Sequence, residues 1–341
     1  MLHDEKAVLH EAGITAITEF LETQNNYSVL RYSGKVVVFD TRIPIQLAFY
    51  ALVEHDMQAA PLWDNAKRQF VGLLTVTDFI DLLRSFYSSS SSGGGTNGGE
   101  DVKDSLASLS IAAALNDARS SCMVKHHHRK FMSVDADATL YQSCALLHRH
   151  GLDFLPVVAV SDNDVRMLAT VTYTNILEHL VTHFREQRRL FDDSIYELGI
   201  GTYSNIATVT LGTTLEECLS ICQSRDLNAL PVVDEQGRVI NVYSRSDISF
   251  LHHATDANDA VRSLEKTVGE ILQAASRTTS TMANVSTPDR LHTCSPTHTL
   301  QSIFEYFAQL KFNRLIVVDD EQRVIGVVSA RDLVAYFVGK E

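Results

Sequence analysis

One pattern of strand, turn, strand and helix occurs four times in this chain. A fourfold internal repeat restricts the fold more than any single residue does. The first copy, AAPLWDNAKRQFVGLLTVTDFIDLL, runs from Ala59 to Leu83. Ala59 to Trp63 reads as a short apolar strand and Asp64 to Gln69 as a polar turn. Phe70 to Val76, with Gly72 inside it, reads as a buried strand. Thr77 and Asp78 open an amphipathic helix whose apolar side carries Phe79, Ile80, Leu82 and Leu83. The other copies are LDFLPVVAVSDNDVRMLATVTYTNIL, LNALPVVDEQGRVINVYSRSDISFL and FNRLIVVDDEQRVIGVVSARDLVAYF.

Each unit is a small β-α-β-β-α module that cannot bury both faces of its sheet alone. The copies are therefore expected to pack in pairs, the first with the second and the third with the fourth. The units fall at about 35–87, 129–185, 200–255 and 288–341, with a connector at 256–287. In repeat 1, Val36 to Phe39 is the expected lead strand, and Leu47, Ala48, Ala51 and Leu52 the inner face of the first helix. The other first helices are expected at Ala138–Arg149, Leu215–Ser224 and Leu300–Leu310, with a short connector helix near Val268–Ala275.

Residues 1–34 form an extension. Leu9, Ile17, Phe20 and Leu21 predict a helix ending near Glu22. Tyr27 to Tyr32 then reads as a strand without a partner in any repeat, open to pairing with another chain or with a later part of this one. The tract SSSSSGGGTNGGE at 88–100 lacks apolar groups and is expected to be a flexible linker, with a weak helix between Val102 and Ala118 within the 88–128 segment. His126 to His128, followed by Arg129 and Lys130, read as a solvated basic loop, because three adjacent histidines cannot converge on one ion.

The chain has 341 residues and a net charge of −13. That balance argues against nucleic acid, which needs a basic face. A small phosphorylated ligand needs only a local cation cluster and stays open. Cys122, Cys144, Cys218, Cys222 and Cys294 read as free thiols of a reducing compartment. No apolar run approaches the ~20 residues of a membrane span, and no metal site is expected. The expected location is the cytoplasm, with the nucleus as the alternative.

Four such modules resemble CBS domains, which pair into Bateman modules. The words FDTRIPIQLAFYALVEHDMQAAPLWD, FVGLLTVTDFIDLL, IGTYSNIA, ALPVVDEQGRVINVYSRSD and RLIVVDDEQRVIGVVSARDL resemble the γ-subunit family of AMP-activated protein kinase. The resemblance runs from about Tyr27 to the C-terminus, apart from the linkers, and is weakest in repeat 2. It implies an α/β (α+β) fold of four CBS repeats forming a flattened disc. It also implies a non-catalytic regulatory subunit with AMP, ADP or ATP as regulatory ligands. The implied partners are a kinase catalytic α subunit and a scaffolding β subunit, joined through the 27–32 strand.

Each last strand ends at a helix start, a place suited to anions and hydroxyls. Asp78, Asp247 and Asp332 stand there in repeats 1, 3 and 4, and Asn175 in repeat 2. A carboxylate can accept two hydrogen bonds from the 2′ and 3′ hydroxyls of a ribose. An acid at that position also simply complements the helix end. Phosphates need cations, and the resemblance implies Arg in repeat 1 and His-Arg in repeats 2 and 4, three and two residues before the repeat anchor. This chain has Gln58-Ala59, Asp153-Phe154, Asn228-Ala229 and Asn313-Arg314 there, and Thr174 in place of a further basic residue. A unit charge about 4 Å from a phosphate is worth roughly 4 kcal/mol at an effective dielectric near 20. Nucleotide binding is therefore expected to be weak and confined mainly to repeats 3 and 4. Arg245, Arg314 and Arg331 are the candidate phosphate contacts, with hydroxyls from Thr75, Thr202 and Ser329. Asp153 and Phe154 read as surface and core. The alternative function is a free-standing tandem CBS protein that binds an adenosyl ligand or scaffolds another partner. An enzyme is the weakest reading, since no nucleophile–base pair, Gly-rich phosphate loop or metal cluster stands out.

Overall fold

The structure is a computed structural model describing residues 2–30, 36–55, 57–92, 108–116, 131–161, 164–184, 192–245, 262–279, 291–310 and 312–339. Three repeats build the same small sheet, in which a two-residue lead strand pairs parallel to a longer strand that turns back antiparallel. These are β1 (Phe39–Asp40), β2 (Ala59–Asp64) and β3 (Gln69–Thr75); β4 (Val134–Asp135), β5 (Leu155–Ser161) and β6 (Asp164–Val171); and β9 (Thr293–Cys294), β10 (Arg314–Val318) and β11 (Val324–Ser329). Repeat 3 keeps the hairpin of β7 (Ala229–Val233) and β8 (Val239–Ser244), and its lead strand shrinks to a parallel bridge from Val209 to Val232. Every hairpin has a register shift midway, in repeat 1 between Leu62 and Trp63 and in repeat 3 between Val232 and Val233.

The first helices are α2 (Ile45–Glu54), α5 (Leu140–His150), α7 (Leu215–Arg225) and α9 (Leu300–Leu310). The described last helices are α3 (Val76–Ser92), α6 (Tyr173–His183) and α10 (Ala330–Val338). In α2 the buried set is Ile45, Ala48, Phe49 and Leu52, spaced as one helical face; Leu47, expected inside, points to solvent.

The N–H groups that open a helix have no partner within it. Here a segment from elsewhere in the chain clasps each first helix in the same way. Ile45 donates to Leu109 O at 2.9 Å and Ile111 donates back to Ile43 O at 3.0 Å. Leu140 donates to Gln24 O and Asn26 to Ala138 O, at 2.8 and 2.9 Å. Leu215 pairs with Lys266 and Val268 with Thr213, both at 2.9 Å. Leu300 pairs with Asp193 and Ile195 with His298, both at 3.0 Å. The segment before repeat 1 serves repeat 2, and the segment before repeat 2 serves repeat 1. Repeats 3 and 4 exchange theirs likewise. The pairing expected from the sequence thus has a backbone basis.

The pairs then join through helices. One core holds the helices of repeats 1 and 3, including Leu52, Ile80, Leu83, Leu219 and Cys222. A second holds those of repeats 2 and 4, including Leu147, Leu177, Ile303, Phe307 and Leu333. With repeat 1 tied to 2, 2 to 4, 4 to 3 and 3 to 1, the four units close into a ring.

Several expectations outside the repeats change. α1 (Leu2–Thr23) is longer than expected. It buries Ile14, Ile17 and Leu21 in the second core, so it is a working part of the ring and not an appendage. Tyr27 to Val29 lie in a 3-10 turn (Asn26–Val29), not a strand. The Asn25 side chain caps that turn by accepting from Ser28 N–H, and buried Asn26 donates to Asp135 O and Ala138 O. Its Oδ1 also accepts from Ser143. The segment is thus occupied by repeat 2; residues 31–35 lie outside the described ones. α3 carries the first serines of the expected linker as far as Ser92, since a nucleated helix extends through residues of modest propensity. Residues 93–100 and the 126–130 basic loop lie outside the described residues. The weak helix narrows to α4 (Ile111–Asn116), and the connector helix, α8, runs Val268–Thr279. The expected lead strand of repeat 1 shortens to Phe39–Asp40.

Candidate functional site

Where a last strand meets a last helix, the sequence places Thr or Ser three residues before Asp or Asn. In each described case the pair forms a reciprocal cap. Thr75 N–H and its hydroxyl donate to Asp78 Oδ2 at 2.8 and 2.6 Å, and Asp78 N–H donates to Thr75 Oγ1 at 3.1 Å. Ser329 and Asp332 repeat this at 2.8, 2.7 and 3.2 Å. Thr172 and Asn175 do the same in repeat 2, where Thr172 also meets Thr174. Asn175 therefore performs the capping role of the aspartates without their charge. Oδ1 of Asp78 and of Asp332 takes no part in these caps. Ser244 has the same spacing to Asp247, which lies outside the described residues.

The positions expected to carry phosphate-binding cations have a backbone task as well. Gln58 O accepts from Val76 N–H and Asn313 O from Ala330 N–H, each fixing a helix start to the strand before it, and Asn228 O accepts from Arg245 N–H just after β8.

A cleft opens where repeats 1 and 2 meet at the middle of the ring. Gly72, Leu73, Thr75, Thr77 and Asp78 line it from repeat 1, and Phe131, Met132 and Gly151 to Phe154 from repeat 2. Asp226, Asn228 and Arg245 reach in from repeat 3, and Arg331 from repeat 4. Phe70 stacks on Phe131 beside it, joining the two repeats. Asp153 and Phe154, read from sequence as surface and core, thus belong to the cleft. The missed signal lay in Gly151. It ends α5 with φ of 60°, and a side chain there would meet Arg331 Nη2 at 2.9 Å.

The arginines differ in their commitments. Arg245 is buried and forms an ion pair with Asp81 of α3, also buried, so repeat 3 is pinned to repeat 1. Burial pushes the Asp81 carboxyl above its ordinary range, against the pull of Arg245. Among the described residues, Asp81 Oδ1 and Arg245 Nε have no hydrogen-bond partner. Arg331, expected beside the cleft of repeats 3 and 4, instead crosses to repeat 2. Asp153 accepts from Asn228 Nδ2 at 3.2 Å and lies in the field of Arg331 and Arg314. Water reaches Asp153 although protein surrounds it on most sides. That enclosure raises its carboxyl pKa against the pull of both guanidiniums and of Asn228.

Between repeats 3 and 4, Val242, Ile316 and Val318 form a small apolar contact. Thr202 exchanges two backbone hydrogen bonds with Val327, each 2.9 Å, and its side chain is exposed. Gly201 has φ of 105°, and a Cβ there would lie 2.8 Å from Val327 O. Tyr203 packs on Gly326, where a Cβ would meet its ring at 2.6 Å. The word IGTYS therefore encodes a close backbone approach between repeats. Burial raises the thiols of Cys144, Cys218 and Cys294 to about 12 and that of Cys222 to about 11, so none is a nucleophile at neutral pH. Among the described residues, no group of three or more His, Cys, Asp or Glu side chains could hold a metal, and no helix is long and apolar enough to cross a membrane.

The sequence model of the CBS domain matches residues 123–182, 200–253 and 284–339, which are repeats 2, 3 and 4. Repeat 1 joins them by its fold. The chain is 28% identical over 337 residues to the γ subunit of 5′-AMP-activated protein kinase from Dictyostelium discoideum, covering 96% of this chain and 54% of that relative. It is 29% identical to the human γ-3 subunit over 333 residues, covering 97% of this chain and 62% of that relative. The chain thus spans a little over half the length of these curated relatives. Among solved structures it is similar to a Methanocaldococcus jannaschii homologue of γ-AMPK, at a TM-score of 0.62 and 17% identity, over 92% of this chain and 99% of that one. A Pyrococcus horikoshii protein follows at a TM-score of 0.50 and 15% identity, over 92% of this chain and 100% of that one. These likenesses establish the fold.

Proposed function

The chain carries CBS domains and is similar to the γ subunits of AMP-activated protein kinase, and from that premise we propose that it is a non-catalytic, γ-type regulatory subunit of such a kinase complex. The observation that carries this reading is a similarity to γ subunits that runs through about 97% of the chain and so includes all four repeats. Its partners are a catalytic α subunit and a scaffolding β subunit in the cytoplasm. The 3-10 turn after α1 is already bonded to repeat 2, which takes Asn26–Val29 out of strand pairing with the β subunit.

Adenine nucleotide binds weakly and mainly at repeats 3 and 4. Asp332 supports this, presenting a carboxylate at the start of α10 with Oδ1 outside the cap, beside Arg314 at the start of β10. Asp247 holds the matching sequence position in repeat 3. Isolation of the protein at its natural abundance, with identification of what accompanies it, tests the assembly. Kinase α and β chains are expected, and recovery of the protein alone favours a free-standing CBS protein. Calorimetric titration with AMP, ADP and ATP tests the ligand. Asp332→Ala and Asp247→Ala weaken binding about tenfold if each carboxylate accepts charge-assisted bonds from a ribose. Unchanged affinity in both rejects the assignment.

A further inference from the structure

We infer that the cleft between repeats 1 and 2 takes a nucleoside that carries no phosphate and discriminates against its phosphorylated forms. This rests on reading the chain as a γ-type subunit, and it concerns a different cleft from the one assigned to nucleotide. Leu73, Phe131 and Met132 give the cleft an apolar wall for a base. Asp78, at the start of α3, has its Oδ2 held by the cap, while Oδ1 is left for a sugar hydroxyl.

The rest of the lining is hostile to an anion. Asp78, Asp153 and Asp226 all border the cleft, against two guanidiniums. Arg245 spends its charge on Asp81, behind the wall. Arg331 lies against Gly151 at the C-terminal end of α5, where the helix presents partial negative charge, and in the field of Asp153. A phosphate approaching Arg331 would enter the field of Asp153 and would meet two more carboxylates along the cleft. Asp153 is open to water, and the guanidiniums of Arg331 and Arg314 pull its carboxyl towards the charged form against the enclosure that raises it. A ligand without phosphate leaves this arrangement intact, and a cationic 5′ substituent is attracted by it.

Three probes on one scaffold read the charge preference: 5′-amino-5′-deoxyadenosine, adenosine and AMP, titrated calorimetrically into the full-length protein. Met132→Trp fills the cleft and identifies the binding that belongs to it. The expected order is the amine first, adenosine next and AMP last, with AMP at least tenfold weaker than adenosine. Asp153→Asn, a change at a water-accessible side chain, narrows the adenosine–AMP gap to less than threefold and weakens the amine. AMP binding as tightly as adenosine in the cleft overturns the inference. So does the absence of any binding that Met132→Trp removes, or a gap untouched by Asp153→Asn. Kinase subunits accompanying the protein would leave the γ-type reading standing in each of those cases. Their absence removes that reading without altering the order of the three affinities.

Discussion

The two helical seams of the ring solve one packing problem with different chemistry. The seam between repeats 1 and 3 is stitched by charge. Arg245 pairs with Asp81 in the interior, and Arg84 of α3 reaches Glu216 and Gln223 of α7 at 2.8 and 2.6 Å. The seam between repeats 2 and 4 is an apolar core clad by α1, its aromatic rings paired within repeat 4. Phe307 packs on Phe312, and Phe304 on Phe337. His179 lies between Phe20 of α1 and His183. The difference teaches where the protein spends its arginines. The charged seam consumes a cation at the edge of the central cleft, whereas the apolar seam leaves Arg331 to face that cleft.

Truncation strikes both seams hard. Arg245→Ala strands a buried carboxylate and costs about 3–5 kcal/mol. Phe307→Ala opens a cavity and costs about 3–5 kcal/mol. Urea unfolding measures both. Rescue separates them: Arg245→Met combined with Asp81→Leu returns stability to within about 1 kcal/mol of the wild type or above it, because apolar groups of similar volume replace a desolvated pair. A double variant as unstable as Arg245→Ala would show that the charges themselves, and not the volume, hold the seam. Arg84→Ala costs less, about 1–2 kcal/mol, since Glu216 is partly exposed and keeps some solvent. On the apolar seam, Thr172→Ala removes the cap of α6 and costs about 1 kcal/mol, read as a lower urea midpoint at unchanged slope.

The smallest effect is a pH dependence. Burial, and then the nearby His183, hold the imidazole of His179 below its ordinary pKa of 6.5. The unfolded chain therefore binds the proton first as pH falls. Stability is full above about pH 6.5 and declines below it. His179→Gln flattens that decline, measured as the midpoint shift between pH 7 and pH 5, and an unchanged slope would place the titration elsewhere.

The repeats were legible because their signals are local. Apolar strands, a polar turn and a Thr or Ser three residues before Asp or Asn all fall within about 25 residues of one another. The caps at Asp78 and Asp332 follow from that spacing, as did their candidacy for ribose. Arg245 was illegible, because its partner Asp81 lies 164 residues away and nothing local marks the pair. Tyr27 to Val29 misled because aromatic and branched residues suggest a strand, whereas Asn25 and Asn26 fix a turn through contacts supplied by repeat 2. Asp153 is exposed, as read, but its place at the cleft, like that of Phe154, was illegible for a similar reason: the cleft is formed by four separate parts of the chain.

The crossed backbone clasps bear on how such a chain can be divided. A fragment cut at the border of one repeat would carry off the piece that finishes its neighbour and leave its own first helix with raw amide ends. Any cut that keeps every clasp whole must therefore take the modules two at a time.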